Sequence, residues 1–246
     1  MKGIEDNTLI INQGTYADFA ATLKYKERVV TEKGDLSKSE RLEARATTFS
    51  ILGVGVVFKT QEGALILQNR ANVMQGAGTY SVPSGGYMQS KDASGAFQPL
   101  TPVSPFRAAY DQLRDEQNLT SPNGLHYVGI SGDRAFAENP TLIFTGTSNI
   151  TMGQVYEKFL GAKDKFETNF LRFIAGDAEG LLKNLAGEYT DLRTNQRFND
   201  AQVMGTGLGA LMLYGQIVHG QEWFQEACKQ VRSNNIVEVS IDNRVQ

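Results

Sequence analysis

The chain has 246 residues, 41% of them hydrophobic and 9% aromatic, enough for a sizeable core without disulfides or a structural metal. Lys and Arg number 24 against 27 Asp and Glu, a net charge of -3, so the basic excess that nucleic-acid binding needs is missing. One cysteine, Cys228, and two histidines, His126 and His219, exclude a disulfide framework and a Cys/His-rich metal site, leaving oxygen ligands for any metal.

Residues 1–13 carry no basic segment followed by an apolar core, so no secretory signal is expected. The longest apolar stretch, Val203 to Val218, is too short and too rich in glycine to cross a membrane. The expectation is a cytoplasmic protein with no membrane partner. Residues 24–45 hold seven basic and five acidic side chains around Gly34 and read as solvated surface within an N-terminal extension, 1–50.

The composition changes at Ile51. ILGVGVVFKT, then Gln61-Glu62-Gly63, then ALILQNR reads as a hairpin with at least one buried face. A short strand, Thr79 to Val82, runs into Pro83-Ser84-Gly85-Gly86, whose residues favour a turn over continued pairing. The small, polar stretch that follows, to Pro102, reads as a long loop. Ser104 is placed as an N-cap with Pro105 at the first helical position. Phe106, Ala109, Tyr110 and Leu113 then form a helical apolar stripe that stops near Gln117, with Asn118 as a left-handed cap. LHYVGI and TLIFTGTS read as paired strands, 151–160 as a helix, FLRFI as a strand and 201–232 as one or two helices with a Gly-rich start. The whole is a mixed α+β domain over 51–232, with 233–246 as a tail.

Chemistry concentrates on the first of these helices. Spacing of i, i+3 and i+4 puts Gln112, Asp115 and Glu116 on one face, opposite the apolar stripe. Two neighbouring carboxylates repel, and a hard cation such as Mg²⁺ between them relieves the repulsion. Taken alone, such a face is ordinarily a solvated one.

The stretch PSGGYM, a loop, then SPFRAAYDQLRDEQNL resembles the Nudix hydrolase signature: Gly, five residues, Glu, seven residues, then Arg-Glu-aliphatic-x-Glu-Glu-x-Gly-aliphatic. Gly86 takes the first glycine, and Leu113, Asp115, Glu116 and Leu119 fall in register. The likeness spans about residues 51–175 and implies an α/β/α sandwich with an N-terminal extension and C-terminal helices. The departures are specific. Sixteen residues, 87–102, stand where the family has five, Val103 holds the Glu position and Asp111 the Arg position. Those two changes remove both partners of one ion pair, so neither charge is stranded. Gln112 replaces the first helical Glu, and Asn118 the Gly. A closer likeness is to the UDP-sugar diphosphatase branch, through Asp115-Glu116-Gln117-Asn118-Leu119, the long N-terminal extension and Glu167 ahead of the aromatic strand Phe170 to Ile174.

That resemblance implies hydrolysis of a nucleoside diphosphate derivative, such as a UDP-sugar, by a water activated by Mg²⁺ or Mn²⁺. Asp115, Glu116, Glu167 and the Gly86 carbonyl would be metal ligands. Glu116, Gln112 and Glu167 would be the catalytic set, with Asp164 second to Glu167 as base. Arg70, with Gly85 and Gly86, would contact the substrate, a small-molecule nucleotide. The alternative is an inactive Nudix-fold nucleotide-binding or sensor protein, which Gln112 and Val103 favour. A third reading makes the carboxylates a plain polar face. Gly205-x-Gly207-x-Gly209 follows no convincing strand and reads as helix packing. His126 and His219 read as ordinary core or surface residues, and Cys228 as a buried helical thiol. In the hydrolase reading Gln112, Asp115 and Glu116 line a cleft near Gly85-Gly86, and 87–102 borders it as a lid.

Overall fold

The computed structural model describes residues 3–5, 8–10, 52–71, 77–87, 104–120, 123–133, 140–198, 203–231 and 237–240. A short N-terminal hairpin, β1 (Gly3–Glu5) and β2 (Thr8–Ile10), pairs only with itself among these residues. The expected loop at 87–102 lies almost wholly outside them.

The central hairpin is β3 (Gly53–Lys59) and β4 (Ala64–Arg70), turned at Gly63, whose φ of 85° suits a residue without Cβ. Its two strands pair at the turn, Lys59 opposite Leu65, and then diverge. The space between them is filled by β5 (Tyr80–Ser81) on β4 and β6 (Ser84–Tyr87) on β3. Ser84 to Gly86 therefore continue the sheet as an antiparallel strand. The turn expected there does not form, because the diverging edge of β3 leaves backbone groups to pair. The outer edges carry β8 (Thr141–Thr147), parallel to β3, then β7 (Asn123–Asp133) and β12 (Val237–Ser240) on one side, and β9 (Thr168–Ala175) on β4 on the other. β10 (Tyr189–Asp191) and β11 (Gln196–Phe198) form a separate hairpin.

Helices cover both faces. On one lie α1 (Pro105–Gln117) and α2 (Met152–Leu160), burying Ala109, Leu113, Val155 and Phe159 against Val54, Val56, Ile66, Phe144 and Phe173. On the other lie α3 (Ala178–Leu185) and α4 (Gly205–Gln230), burying Leu181, Leu208 and Leu211 against Val57, Leu65, Leu67 and Ile174. The mixed sheet is thus sandwiched between helices, as the family resemblance implied. α4 bends at Gly220 (φ 88°), so it is two helices in succession. Trp223 folds back until its ring fills the space where a side chain on Gly215 would sit. No helix among the described residues is long and apolar enough to cross a membrane.

Local signals on α1 are partly altered. Asn118 ends the helix in the left-handed region (φ 55°, ψ 34°), and its N–H caps back onto the last turn, as expected. Ser104 occupies the N-cap position, but its side chain makes no capping bond, leaving Pro105 and its missing N–H to start the helix. Phe106 remains 44% exposed while its ring meets Phe144 edge-on. The full capping box is on α2, where Thr151 and Gln154 cap each other.

Candidate active site

Period-two alternation on β4 decides which of its side chains meet α1. Leu65 and Leu67 belong to the α4-side core, and Ala64 and Ile66 to the α1-side core. Gln68 and Arg70 therefore continue the α1-facing row. The row is apolar where it meets Ala109 and Leu113 and turns polar at the last turn of α1. There Gln117 Nε2 donates to Gln68 Oε1 at 2.8 Å, both side chains being buried.

The segment before β9 closes a third side. The Asp164 N–H donates to the Asp115 carbonyl at 2.9 Å, and the Ala71 N–H to the Glu167 carbonyl at 2.7 Å. These bonds tie the short 3-10 turn Lys165–Glu167 to the end of α1 and to the end of β4. Three sequence-distant elements thereby bring Arg70, Glu116, Asp164 and Glu167 into one another's electrostatic field.

Glu116 is the centre of this group and is 3% exposed. It is not the solvated face that the bland reading of its helix predicts, because α1 lays its last turn against β4. Burial pushes its carboxyl up to about 8; a hydrogen bond with Gln68 and the Arg70 charge oppose that rise, and Glu167 and Asp164 add to it. Gln112, one turn earlier, donates its Nε2 to Glu116 Oε1. Glu116 Oε2 is buried with no hydrogen-bond partner. The half-buried Glu167 is also raised, first by burial and then by Asp164, with Arg70 opposing. Burial lowers the Arg70 guanidinium against the opposing pull of Glu116 and Glu167.

The other expected residues lie around this centre. Asp115 faces away toward cations of its own, accepting from Arg114 Nε at 2.8 Å with Lys163 Nζ at 4.0 Å. Gly85 and Gly86 sit in β6, with Gly85 registered opposite Val54, and β6 packs beside α1. Asp111, at the Arg position of the signature, pairs with Arg107 at 3.1 Å and Arg114 at 2.7 Å on the exposed side of the helix.

A buried carboxylate oxygen without a partner is what a hard cation would satisfy. Among the described residues, no three His, Cys, Asp or Glu side chains lie close enough to hold an ion unaided. Mg²⁺ ordinarily takes one or two carboxylates and completes its shell with water and substrate phosphate oxygens. Glu116 and Glu167 fit that donor set.

Residue reading missed Gln68, Gln117 and Thr168. Thr168, 5% exposed, sits opposite Arg70 in the β4–β9 register, and its Oγ1 has no partner. The signal for Gln68 was the switch from Ala64 and Ile66 to Gln68 and Arg70 along alternate positions of one strand. Elsewhere, His126 is exposed, and His219 Nε2 lies 3.1 Å from the Gly176 carbonyl beside Trp223. Cys228 is exposed rather than buried, because the returning half of α4 turns Trp223 and Ala227 inward and leaves Cys228 outside. Gly207 packs closely against Val203 and Ser81, in keeping with helix packing.

No family model matches the chain, and no curated protein matches it. Among solved structures, it is similar to the NUDIX domain of Shewanella oneidensis NrtR complexed with ADP ribose: 14% identity, 56% of this chain and 82% of that chain covered, TM-score 0.37. It is similar also to a mutT/nudix family protein from Listeria innocua, at 18% identity, 55% and 83% coverage and TM-score 0.35. A MutT/nudix family protein from Enterococcus faecalis aligns at 10% identity over 89% of this chain and 98% of that chain, with TM-score 0.38.

Proposed function

We propose that the protein is a Nudix-type hydrolase that cleaves the diphosphate of a nucleoside diphosphate derivative with the help of Mg²⁺ or Mn²⁺, with UDP-sugars as the first substrates to test. The observation that carries this reading is the buried Glu116 carboxyl, its Oε2 unpartnered, facing Arg70 and Glu167 at the position where the Nudix signature places its last helical Glu. Residues 51–232 are taken as the working unit, flanked by an extension and a tail, in a cytoplasmic protein.

When bound, a divalent cation would neutralise diphosphate charge and acidify a water. The chain's own groups supply the rest. Glu116 would hold the ion, with Glu167 as third ligand or base, and Asp115 remains a candidate ligand once released from Arg114. Arg70 offers a guanidinium to a phosphate oxygen. Glu167, raised above its ordinary value, is a better proton acceptor near neutral pH than an exposed carboxylate. Gly85 and Gly86 leave the backbone of β6 open to close approach by the substrate. Water adds across the phosphoanhydride bond, and two phosphate esters leave.

One observation favours the second reading, a nucleotide binder without turnover. Gln112 Nε2 already occupies Glu116 Oε1, where the signature has a second carboxylate. A panel of nucleoside diphosphate derivatives, assayed for diphosphate cleavage with and without Mg²⁺, decides between them. Mg²⁺-dependent cleavage of at least one compound is expected. Glu116→Gln should lower it by about 100-fold or more, a loss of about 2.7 kcal/mol in transition-state stabilisation. Tight nucleotide binding with no cleavage would establish the binder, and wild-type turnover in Glu116→Gln would remove the metal assignment.

A further inference from the structure

We infer that the Thr168 hydroxyl contacts the substrate, donating to a diphosphate oxygen beside Arg70, so that β4 and β9 share one phosphate grip. The inference rests on the hydrolase reading proposed above. It starts from a break in the β4–β9 register. Ile66 stands opposite Phe173, Gln68 opposite Leu171 and Asn69 opposite Phe170, but Arg70 stands opposite Thr168, which leaves Asn169 as the extra residue of a β-bulge. Counting in twos from Phe173 and Leu171, both in the α1-side core, would put Asn169 on that face and Thr168 on the other. The bulge reverses this. Asn169 is exposed and donates its Nδ2 to Asn69 Oδ1 at 2.8 Å, while Thr168 comes onto the face of Gln68 and Arg70. Residues directly opposite in an antiparallel pair have Cβ atoms about 5 Å apart, so Thr168 and Arg70 are neighbours on that face. The Ala71 N–H, donating to the Glu167 carbonyl at 2.7 Å, holds this end of the ladder together. Thr168 is 5% exposed, and its Oγ1 meets no hydrogen-bond partner among the described residues. Valine has the same shape and suits a strand equally well, without the cost of burying an unbonded hydroxyl. Packing therefore does not explain the hydroxyl. A guanidinium carries donors only, so the ligand group that a hydroxyl donor and Arg70 can meet together is an anionic oxygen.

The test titrates inorganic pyrophosphate into the full chain at fixed Mg²⁺, followed by calorimetry, for the wild type, Thr168→Val and Thr168→Ser. Thr168→Val should weaken pyrophosphate binding by about tenfold or more, the usual effect of losing a hydrogen bond to a charged group. Thr168→Ser keeps the hydroxyl and should stay close to the wild type. The urea midpoint of ligand-free Thr168→Val should equal or exceed that of the wild type, because the substitution removes a buried hydroxyl that had no partner. A lowered midpoint, or failure to fold, would place that partner inside the protein and overturn the inference. Wild-type pyrophosphate affinity in Thr168→Val would overturn it too, as would a loss in Thr168→Ser as large as that in Thr168→Val, which would show shape rather than the hydroxyl to matter. If Glu116→Gln loses cleavage while Thr168→Val binds and cleaves like the wild type, this inference alone fails. A wild type that binds no pyrophosphate also overturns it, and if that protein cleaves nothing in the substrate panel, the hydrolase reading falls with it.

Discussion

Glu116 is a carboxyl almost wholly withdrawn from bulk water, and its proton equilibrium follows from that. With its value in the folded chain raised to about 8, the folded state holds a proton that the unfolded chain releases in the ordinary carboxyl range. The stability this group contributes is therefore complete below that ordinary range, and is lost as pH rises through about 8. Glu167, raised in the same direction, adds to the trend. Thermal melts of the metal-free protein should show stability falling between about pH 5 and pH 8. Glu116→Gln, a neutral mimic that can still accept from Gln112, should flatten that slope and raise stability at pH 8 by an amount on the order of a few kcal/mol. Equal slopes in the two proteins would show that Glu116 is not the titrating group. The same substitution should lower the proposed turnover by about 100-fold or more, so one residue trades stability of the fold against chemistry.

Among the elements, α1 carries the candidate site's central carboxyl, and its C-terminal cap controls where Glu116 and Gln117 lie. Asn118 has φ 55° and bonds back to Leu113 and Arg114. Glycine adopts that conformation without a Cβ penalty, whereas alanine does not. Asn118→Gly should change stability by only a few tenths of a kcal/mol, and Asn118→Ala should destabilise by about 1 kcal/mol, read from urea midpoints. Because the next residue, Leu119, is buried in the α1-side core, a disturbed cap also shifts the helix end that presents Glu116. Asn118→Ala should therefore lose more activity than Asn118→Gly; equal losses would separate the cap from the site.

At the scale of the molecule, the two cores lie on opposite faces of one sheet and share its strands, since β4 sends Ile66 to one and Leu65 to the other. They should unfold together. The single tryptophan, Trp223, packs in the α4-side core, donating its Nε1 to the Ala178 carbonyl at 2.9 Å. Leu113 is fully buried in the other core. Leu113→Ala should cost about 2–5 kcal/mol, and should shift the Trp223 fluorescence transition as far as the far-UV circular dichroism transition. Transitions that separate would show two independently melting halves.

Periodicity and local chemistry by themselves determined much of this architecture. The runs of Val, Ile and Leu around Gln61-Glu62-Gly63 specify a hairpin, the stripe from Ala109 to Leu113 specifies the buried face of α1, and Asn118 specifies its end, because each depends on neighbours within a few residues. Spacing also placed Gln112 and Glu116 one turn apart, and they are bonded. Local signals could not reveal that β3 and β4 diverge and recruit Ser84–Tyr87 as a strand, because that pairing is decided by an edge more than 25 residues away in the chain. Nor could they distinguish Glu116 from the exposed acids beside it. Asp115 follows its own helix and pairs with Arg114, whereas Glu116 is buried because β4 and the turn before β9 close over the end of α1. Helical spacing says which side chains share a face; only the packing of that face against another element decides whether a carboxyl meets water or a buried arginine, and its proton affinity follows.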